Sequence, residues 1–401
     1  MTFDFDRPID RRNTNSLKYD FALERGKPAD VLPLWVADMD FAAPPAVTEA
    51  LQKAVSHGIF GYSDVKEDYS RTVAGWFSQR FGWETRPEWL VKTPGVVYAL
   101  AMAVRALTEE GDAVLVQPPV YYPFYSVVRS NGRRLVENQL VYENGRYHID
   151  FDAFEKTVRD AGVKLFLLCS PHNPVCRVWT EEELRRMGAI CQRYGVIVVS
   201  DEIHCDFALP GHPHTVFPLA CPDLAERSVI CTAPSKTFNL AGLQVSNIFI
   251  PGQEVRRAFR REVGRSGYSQ LNSLGLVAAQ AAYREGGAWL EACRTYLQEN
   301  LAFLRSFLTE KLPEVRLVEP EGTYFAWLDC SALGLTTEEL EALVTDRARL
   351  WLDGGSIFGA CAGQFQRMVL ACTRATLSQA LDRLERAVHA PEGPAPRGAA
   401  I

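Results

Sequence analysis

One lysine in this sequence stands where an amine could be made reactive. Lys236 follows a short apolar run, Val229 to Cys231, that reads as a buried strand. The run breaks at Thr232, and Pro234 confines Ala233 to extended or turn geometry. Phe238, Leu240 and Leu243 wall the amine in. A lone lysine at a strand end is more often a surface residue. Withdrawn from water, its pKa falls and it can form a Schiff base with an aldehyde. Asp201 is the second such residue, placed just after the apolar run Val196 to Val199, in Asp201-Glu-Ile-His204. A carboxylate at the end of a buried strand is costly unless a cation pairs with it.

Three further loops carry groups of a related kind. Thr93-Pro-Gly95-Val96-Val97 opens a helix, where backbone N–H groups could hold a phosphate. Tyr121, in the rigid loop from Pro118 to Phe124, could cover a flat ring. Ser170-Pro-His-Asn173-Pro is a turn signal, yet Asn173 could donate to a ring oxygen. Each has an ordinary reading as a turn or core residue. Together Gly95, Tyr121, Asn173, Asp201 and Lys236 are the set that pyridoxal phosphate needs. The lysine would form the Schiff base, the aspartate would keep the ring an electron sink, the aromatic would stack, and the helix start would take the phosphate.

These loops can meet only if the elements carrying them share one edge of a sheet. From Leu90 onward strand and helix patterns alternate, with strands at Ala113 to Gln117, Leu165 to Cys169, Val196 to Val199 and Val229 to Cys231. The spacing predicts an α/β fold: a large domain with a mainly parallel sheet sandwiched by helices. Open sheets of that kind bind ligands beyond the C-terminal ends of their strands. After Gly252 long helices, a strand at Thr323 to Leu328, another at Met368 to Cys372 and a closing helix predict a smaller α+β domain. The expected division is an arm and part of the small domain in residues 1–45, the large domain in 46–285, the small domain in 286–390, and a disordered tail in 391–401.

Composition narrows the function classes. The chain has 401 residues, is 47% hydrophobic and 23% charged, and carries a net charge of −6, as ordinary globular proteins do. No basic face appears, so nucleic acid is not an expected partner. Ten cysteines are scattered without Cys-x-x-Cys or zinc-like spacing, so no metal is expected. The start lacks the pattern of a signal peptide and no apolar run approaches membrane length, so a reducing cytoplasm is the expected location.

Three motifs make a resemblance specific: Ser-Pro-His-Asn-Pro (170–174), Asp-Glu-Ile-His (201–204) and Ala-Pro-Ser-Lys-Thr-Phe-Asn (233–239). With them, over roughly residues 15–390, the chain resembles fold-type I pyridoxal-phosphate enzymes of the class I/II aminotransferase superfamily. Leu-Trp-Val-Ala-Asp-Met-Asp-Phe (34–41) and Phe-Gly-Tyr-Ser (60–63) narrow the likeness to the cystathionine β-lyase or cysteine-conjugate C–S lyase branch. The resemblance implies an aspartate-aminotransferase-like large domain, its sheet of the seven-stranded type, and a homodimer in which Tyr62 reaches the neighbour's phosphate. It implies that Arg374 grips the substrate α-carboxylate, with Trp35, Asn173 and Tyr62 beside it. His204, Thr232 and Ser235 join Gly95, Val96 and Val97 around the cofactor. The sequence departs from wider family patterns at His204, where many relatives have Tyr, at Gln244, where many have Arg, and at Cys176, where most have Gly. The implied activity is a C–S β-lyase that cleaves cystathionine or a related cysteine conjugate to a thiol, pyruvate and ammonia. Lys236 would act as base on the α-proton, and either Tyr121 or Lys236 would protonate the leaving sulfur. An aminotransferase is the alternative reading, and a regulatory protein acting through protein contacts a minor one.

Overall fold

A computed structural model describes residues 3–390, so the expected disordered tail lies outside the described residues. Seven strands form the main sheet: β1 Leu90–Thr93, β2 Ala113–Val116, β3 Arg134–Glu137, β4 Val163–Cys169, β5 Ile197–Asp201, β6 Ser228–Thr232 and β7 Ser246–Phe249. Their order is β1-β7-β6-β5-β4-β2-β3. Only β7 runs antiparallel to its neighbours, which leaves the other six pointing one way. Strands buried on both faces read as continuous apolar runs, which is why Val-Leu-Val, Phe-Leu-Leu and Val-Val stand out in the sequence.

The register of the central strands decides where chemistry can occur. Cys169 lies opposite Asp201, and Asp201 opposite Cys231. Neighbouring strands are about 4.8 Å apart, so the loops that follow β4, β5 and β6 leave the sheet side by side. Those loops carry Asn173, Asp201 to His204, and Ser235 to Thr237.

Helices cover both faces. On one lie α3 Val96–Leu107, α4 Pro123–Ser130 and α7 Gln253–Arg265, sharing a core with Val114, Leu167, Val199 and Ile248. On the other lie α2 Glu67–Phe81, α5 Phe151–Ala161, α6 Glu181–Arg193 and α8 Ser273–Glu285, packed on Leu115, Phe166, Val198 and Ile230. Thr180 and Glu183 close a reciprocal capping box at the start of α6, as the spacing predicts. Helix α1 Pro45–His57 packs on α8.

A second, antiparallel sheet of four strands forms from β8 Arg316–Val318, β9 Phe325–Asp329, β10 Asp353–Gly354 and β11 Phe365–Val369, ordered β8-β9-β11-β10. It has its own apolar core, with Leu328, Met368, Leu377 and Leu384, the last two on α10 Arg374–His389. Helix α9 Gly287–Lys311 serves both cores: Trp289 to Leu297 pack in the first, Leu301 to Leu308 in the second. The N-terminal arm crosses between them. Leu32 and Pro33 pair with Leu350 and Trp351, Leu34 joins the second core, and Met39 and Phe41 join the first.

A compact ionic cluster fixes that crossing. Lys18 is fully buried, with Nζ 2.9 Å from Asp40 and 3.8 Å from Asp38. Arg11 forks onto Asp38 at 2.6 Å and reaches Asp40 at 2.8 Å. Removing one member of a buried pair strands its partner's charge. Lys18→Ala should therefore lower the unfolding free energy by about 3–5 kcal/mol in denaturant titrations. A loss under about 1 kcal/mol, the range of exposed pairs, would show that water already screens the cluster.

Candidate active site

A cavity of about 400 Å³ opens at the shared edge of the sheet. Lys236, Asp201, His204, Asn173, Tyr121, Ser235, Gly95, Val96 and Val97 all line it, joined by Ala37, Tyr98, Ile203, Ala241 and Gln244. The two residues on which the sequence reading leaned hardest therefore face one space.

Burial sets their electrostatics. Asp201 ends β5 among apolar strand ends, and desolvation pushes its carboxyl up to about 7. The backbone N–H of Ile203, 3.2 Å away, donates to it. Lys236 sits in a one-turn helix, Pro234–Thr237, and desolvation brings its amine down to about 8. Its Nζ donates to the carbonyl of Ala37 at 2.9 Å, a carbonyl that also accepts from the Tyr324 hydroxyl at 2.9 Å. Burial likewise drives His204 well below the usual imidazole range, aided by the positive charges of Lys236 and Arg367. Its ring stands edge-on to Tyr324 and Phe325, and its Nδ1 has no partner. Tyr121 keeps its proton well above the ordinary phenol range through burial and the nearby Tyr122 and Asp201.

The lysine turn is also held from the arm. Asn239, at φ 58°, accepts from the N–H of Met39 at 3.0 Å and donates to the carbonyls of Met39 and Phe41, each at 2.9 Å. A short amide side chain tolerates that left-handed conformation better than most residues do. Cys176 adopts φ 61° as well, so the loop beside Asn173 keeps a backbone shape that glycine would take freely. Its thiol is buried, 3.1 Å from the Pro174 carbonyl, and Thr323 Oγ1 donates to it at 3.3 Å.

Three expected site residues, Arg374, Trp35 and Thr232, lie elsewhere. Arg374 opens α10, where its Nε donates to Asn300 at 2.8 Å and its guanidinium covers Phe303. The expected strand at Met368 to Cys372 in fact runs from Phe365 to Val369, which brings Arg367 inward instead. Arg367 is buried, donates to Asn173 Oδ1 at 2.8 Å and to the Trp35 carbonyl at 2.9 Å, and pairs with Asp353. Trp35 offers that carbonyl rather than its ring, which stacks on Trp351 at 4.2 Å. Thr232 spends its hydroxyl on the Asn247 carbonyl at 2.7 Å within the sheet, away from the cavity. Tyr62 is 93% exposed and touches no part of the cavity in its own chain.

Residues 29–384 match the family of class I and II aminotransferases. The chain belongs to that family. Within it, the chain is 45% identical to cystathionine beta-lyase PatB of Bacillus subtilis over 96% of its own length and 99% of that protein's. It superposes with a TM-score of 0.93 on cystalysin from Treponema denticola, which contains a pyridoxal 5′-phosphate cofactor, at 37% identity over 96% of this chain and 99% of that one. A PLP-bound C-S lyase from Staphylococcus hominis matches with a TM-score of 0.91 and 32% identity, over 97% and 99% of the two chains.

In this aminotransferase-family chain Arg367 had one sequence signal: Gln366-Arg367 interrupts an otherwise apolar run from Phe365 to Cys372. A charge inside a buried strand needs a partner, and Asp353 on β10 is separated from Arg367 by too many residues for spacing to reveal.

The amine itself gives a direct test. Between pH 8 and 10.5 a solvated lysine still holds its proton, whereas Lys236 has released it. In cofactor-free protein carrying 13C-methylated lysines, the Lys236 resonance should titrate with a midpoint near 8. A midpoint near 10.5 would place the amine in water.

Proposed function

We propose that this chain is a pyridoxal-phosphate-dependent C–S β-lyase acting on L-cystathionine or a related cysteine conjugate. One observation carries the reading: a buried carboxylate with no ion-pair partner among the described residues and an amine of lowered basicity line the same cavity. The residues fit the cofactor at each end. Asp201 calls for a cation, which a protonated ring nitrogen would supply. The start of α3 offers the N–H groups of Gly95, Val96 and Val97 to a phosphate, with the helix dipole behind them. Ser235 and Gln244 line the cavity and could add polar contacts. His204 presents a neutral imidazole.

Bound there, pyridoxal phosphate would supply an aldehyde for the amine and a ring that withdraws electrons from the substrate α-carbon. The chain's residues do the rest. Arg367, behind Asn173, takes the role first expected of Arg374 and orients the α-carboxylate with its planar fork. Tyr121, which lines the cavity, would cover the ring face and restrict water. Lys236 Nζ accepts the α-proton, which frees the β-sulfur to leave. The returning proton comes from Lys236 rather than Tyr121: an ammonium near pKa 8 matches a departing thiolate, whereas burial holds the Tyr121 proton too tightly. Water completes the balance, giving a thiol, pyruvate and ammonia.

We further infer a homodimer. The loop between α1 and α2 exposes Ile59 at 73%, Phe60 at 63% and Tyr62 at 93%, an apolar display that a second copy would cover. Tyr62 would then reach the neighbour's phosphate site. All ten cysteines are free and nine are buried, which suits a reducing compartment. Among the described residues no helix is long and apolar enough to cross a membrane.

Incubated with cystathionine and no keto-acid acceptor, the loaded protein should release pyruvate over many turnovers. A single turnover that stalls with an aminated cofactor would assign it as an aminotransferase. Lys236→Ala should abolish the visible absorption of the lysine-linked cofactor. Arg367→Lys, which keeps charge and loses the fork, should raise KM about 10- to 100-fold with cofactor retained; an unchanged KM would remove Arg367 from carboxylate binding.

A further inference from the structure

A hydrogen bond behind the cavity ties the segment carrying Asp201 to the turn carrying Lys236. Beyond β5 the chain passes His204 and enters a short turn, Cys205–Phe207, whose Asp206 is buried. Beyond β6 the one-turn helix ends at Thr237, also buried and outside the cavity lining. Thr237 Oγ1 donates to Asp206 Oδ2 at 2.7 Å.

The carboxylate is itself immobilised. Trp76 Nε1 donates to the same oxygen at 3.4 Å. Arg80 Nε stands 2.8 Å from the other oxygen, an ion contact in which the N–H is not aimed at the acceptor. Arg80 in turn donates to Glu291 at 2.8 Å. Helices α2 and α9 thus hold Asp206 while Asp206 holds Thr237. A hydroxyl needing only satisfaction could take any backbone carbonyl. Spending a buried charge on it makes little sense for stability, because buried ion pairs rarely repay their desolvation. Geometry is the better reason for the arrangement.

We propose that Asp206, acting through Thr237, is a positioning residue that fixes the Lys236 amine relative to Asp201. The proposal rests on the lyase reading, since only a reaction at that amine makes its placement matter. Displacements of about 1 Å near reacting groups can cost about 10²-fold in rate.

Thr237→Val removes the hydroxyl at nearly constant volume, and Thr237→Ser keeps it. In cofactor-loaded protein, Thr237→Val should lower kcat about 10- to 100-fold with KM within about twofold of the parent. Its visible circular dichroism should change in amplitude, because that band reports the orientation of the bound chromophore. Thr237→Ser should restore both. Parental kcat and dichroism in Thr237→Val, or a change in melting temperature alone, would overturn the coupling. Should the valine variant not fold, Asp206→Asn keeps an acceptor and removes the charge; parental kcat and dichroism there would overturn it equally. A parent protein with no visible band would instead refute the cofactor reading.

Discussion

The structure depends on a buried carboxylate, Asp201, that forms no ion pair among the described residues. Desolvation raises Asp201 to about 7, so holding it ionised there costs on the order of 4 kcal/mol. The Ile203 N–H and the charge of Lys236 offset only part of it. The same low-polarity setting lowers Lys236 to about 8. Both shifts favour the neutral forms, and both would be relieved by one partner that carries a positive nitrogen and accepts an amine. The apolar strand ends around Cys169 and Cys231 are therefore part of the chemistry: they create the demand that a ligand cation would meet.

Placing those groups is the work of the sheet. Parallel strands with matched ends put three consecutive loops on one edge, and β-register makes the alignment discrete. Loops alone would leave the amine adrift, so the lysine turn is gripped twice. Asn239 binds it to the arm on the cavity side, and Thr237 binds it to Asp206 behind. The arm is in turn pinned by Lys18 and Arg11 on Asp38 and Asp40. A rigid ionic anchor thus sits only a few residues from the carbonyl of Ala37 on which Lys236 rests.

What could be read from the sequence follows from the range of the physics involved. Apolar runs and the loops after them are local, so Lys236, Asp201, Asn173, Tyr121 and the start of α3 were all legible and converge on one cavity. Side-chain direction is not local. The resemblance placed Thr232 near the cofactor, but its neighbour in β7 claims the hydroxyl. Trp35 looked like a substrate contact because its motif matched, yet Trp351, more than three hundred positions away, claims the ring. Arg374 and Arg367 lie seven residues apart, and a strand boundary placed three residues late exchanged them. That strand edge is fixed by pairing with β9 and β10, which no window of local sequence contains.

The phosphate end of the cavity carries a last consequence. Apart from Lys236, no lysine or arginine among the described residues lines it. A dianion held there would rely on the first N–H groups of α3, on Ser235 and on the amide of Gln244. A helix start supplies the equivalent of about half a positive charge, well short of neutralising such a group. Tyr98 is committed elsewhere, its hydroxyl sharing a hydrogen with Ser266. In the proposed homodimer the exposed loop that carries Tyr62 would supply a further donor from the second copy. If two copies associate as proposed, cofactor retention and association become one equilibrium: dilution that separates the copies would strip donors from the phosphate, and a bound cofactor would in turn stabilise the pair.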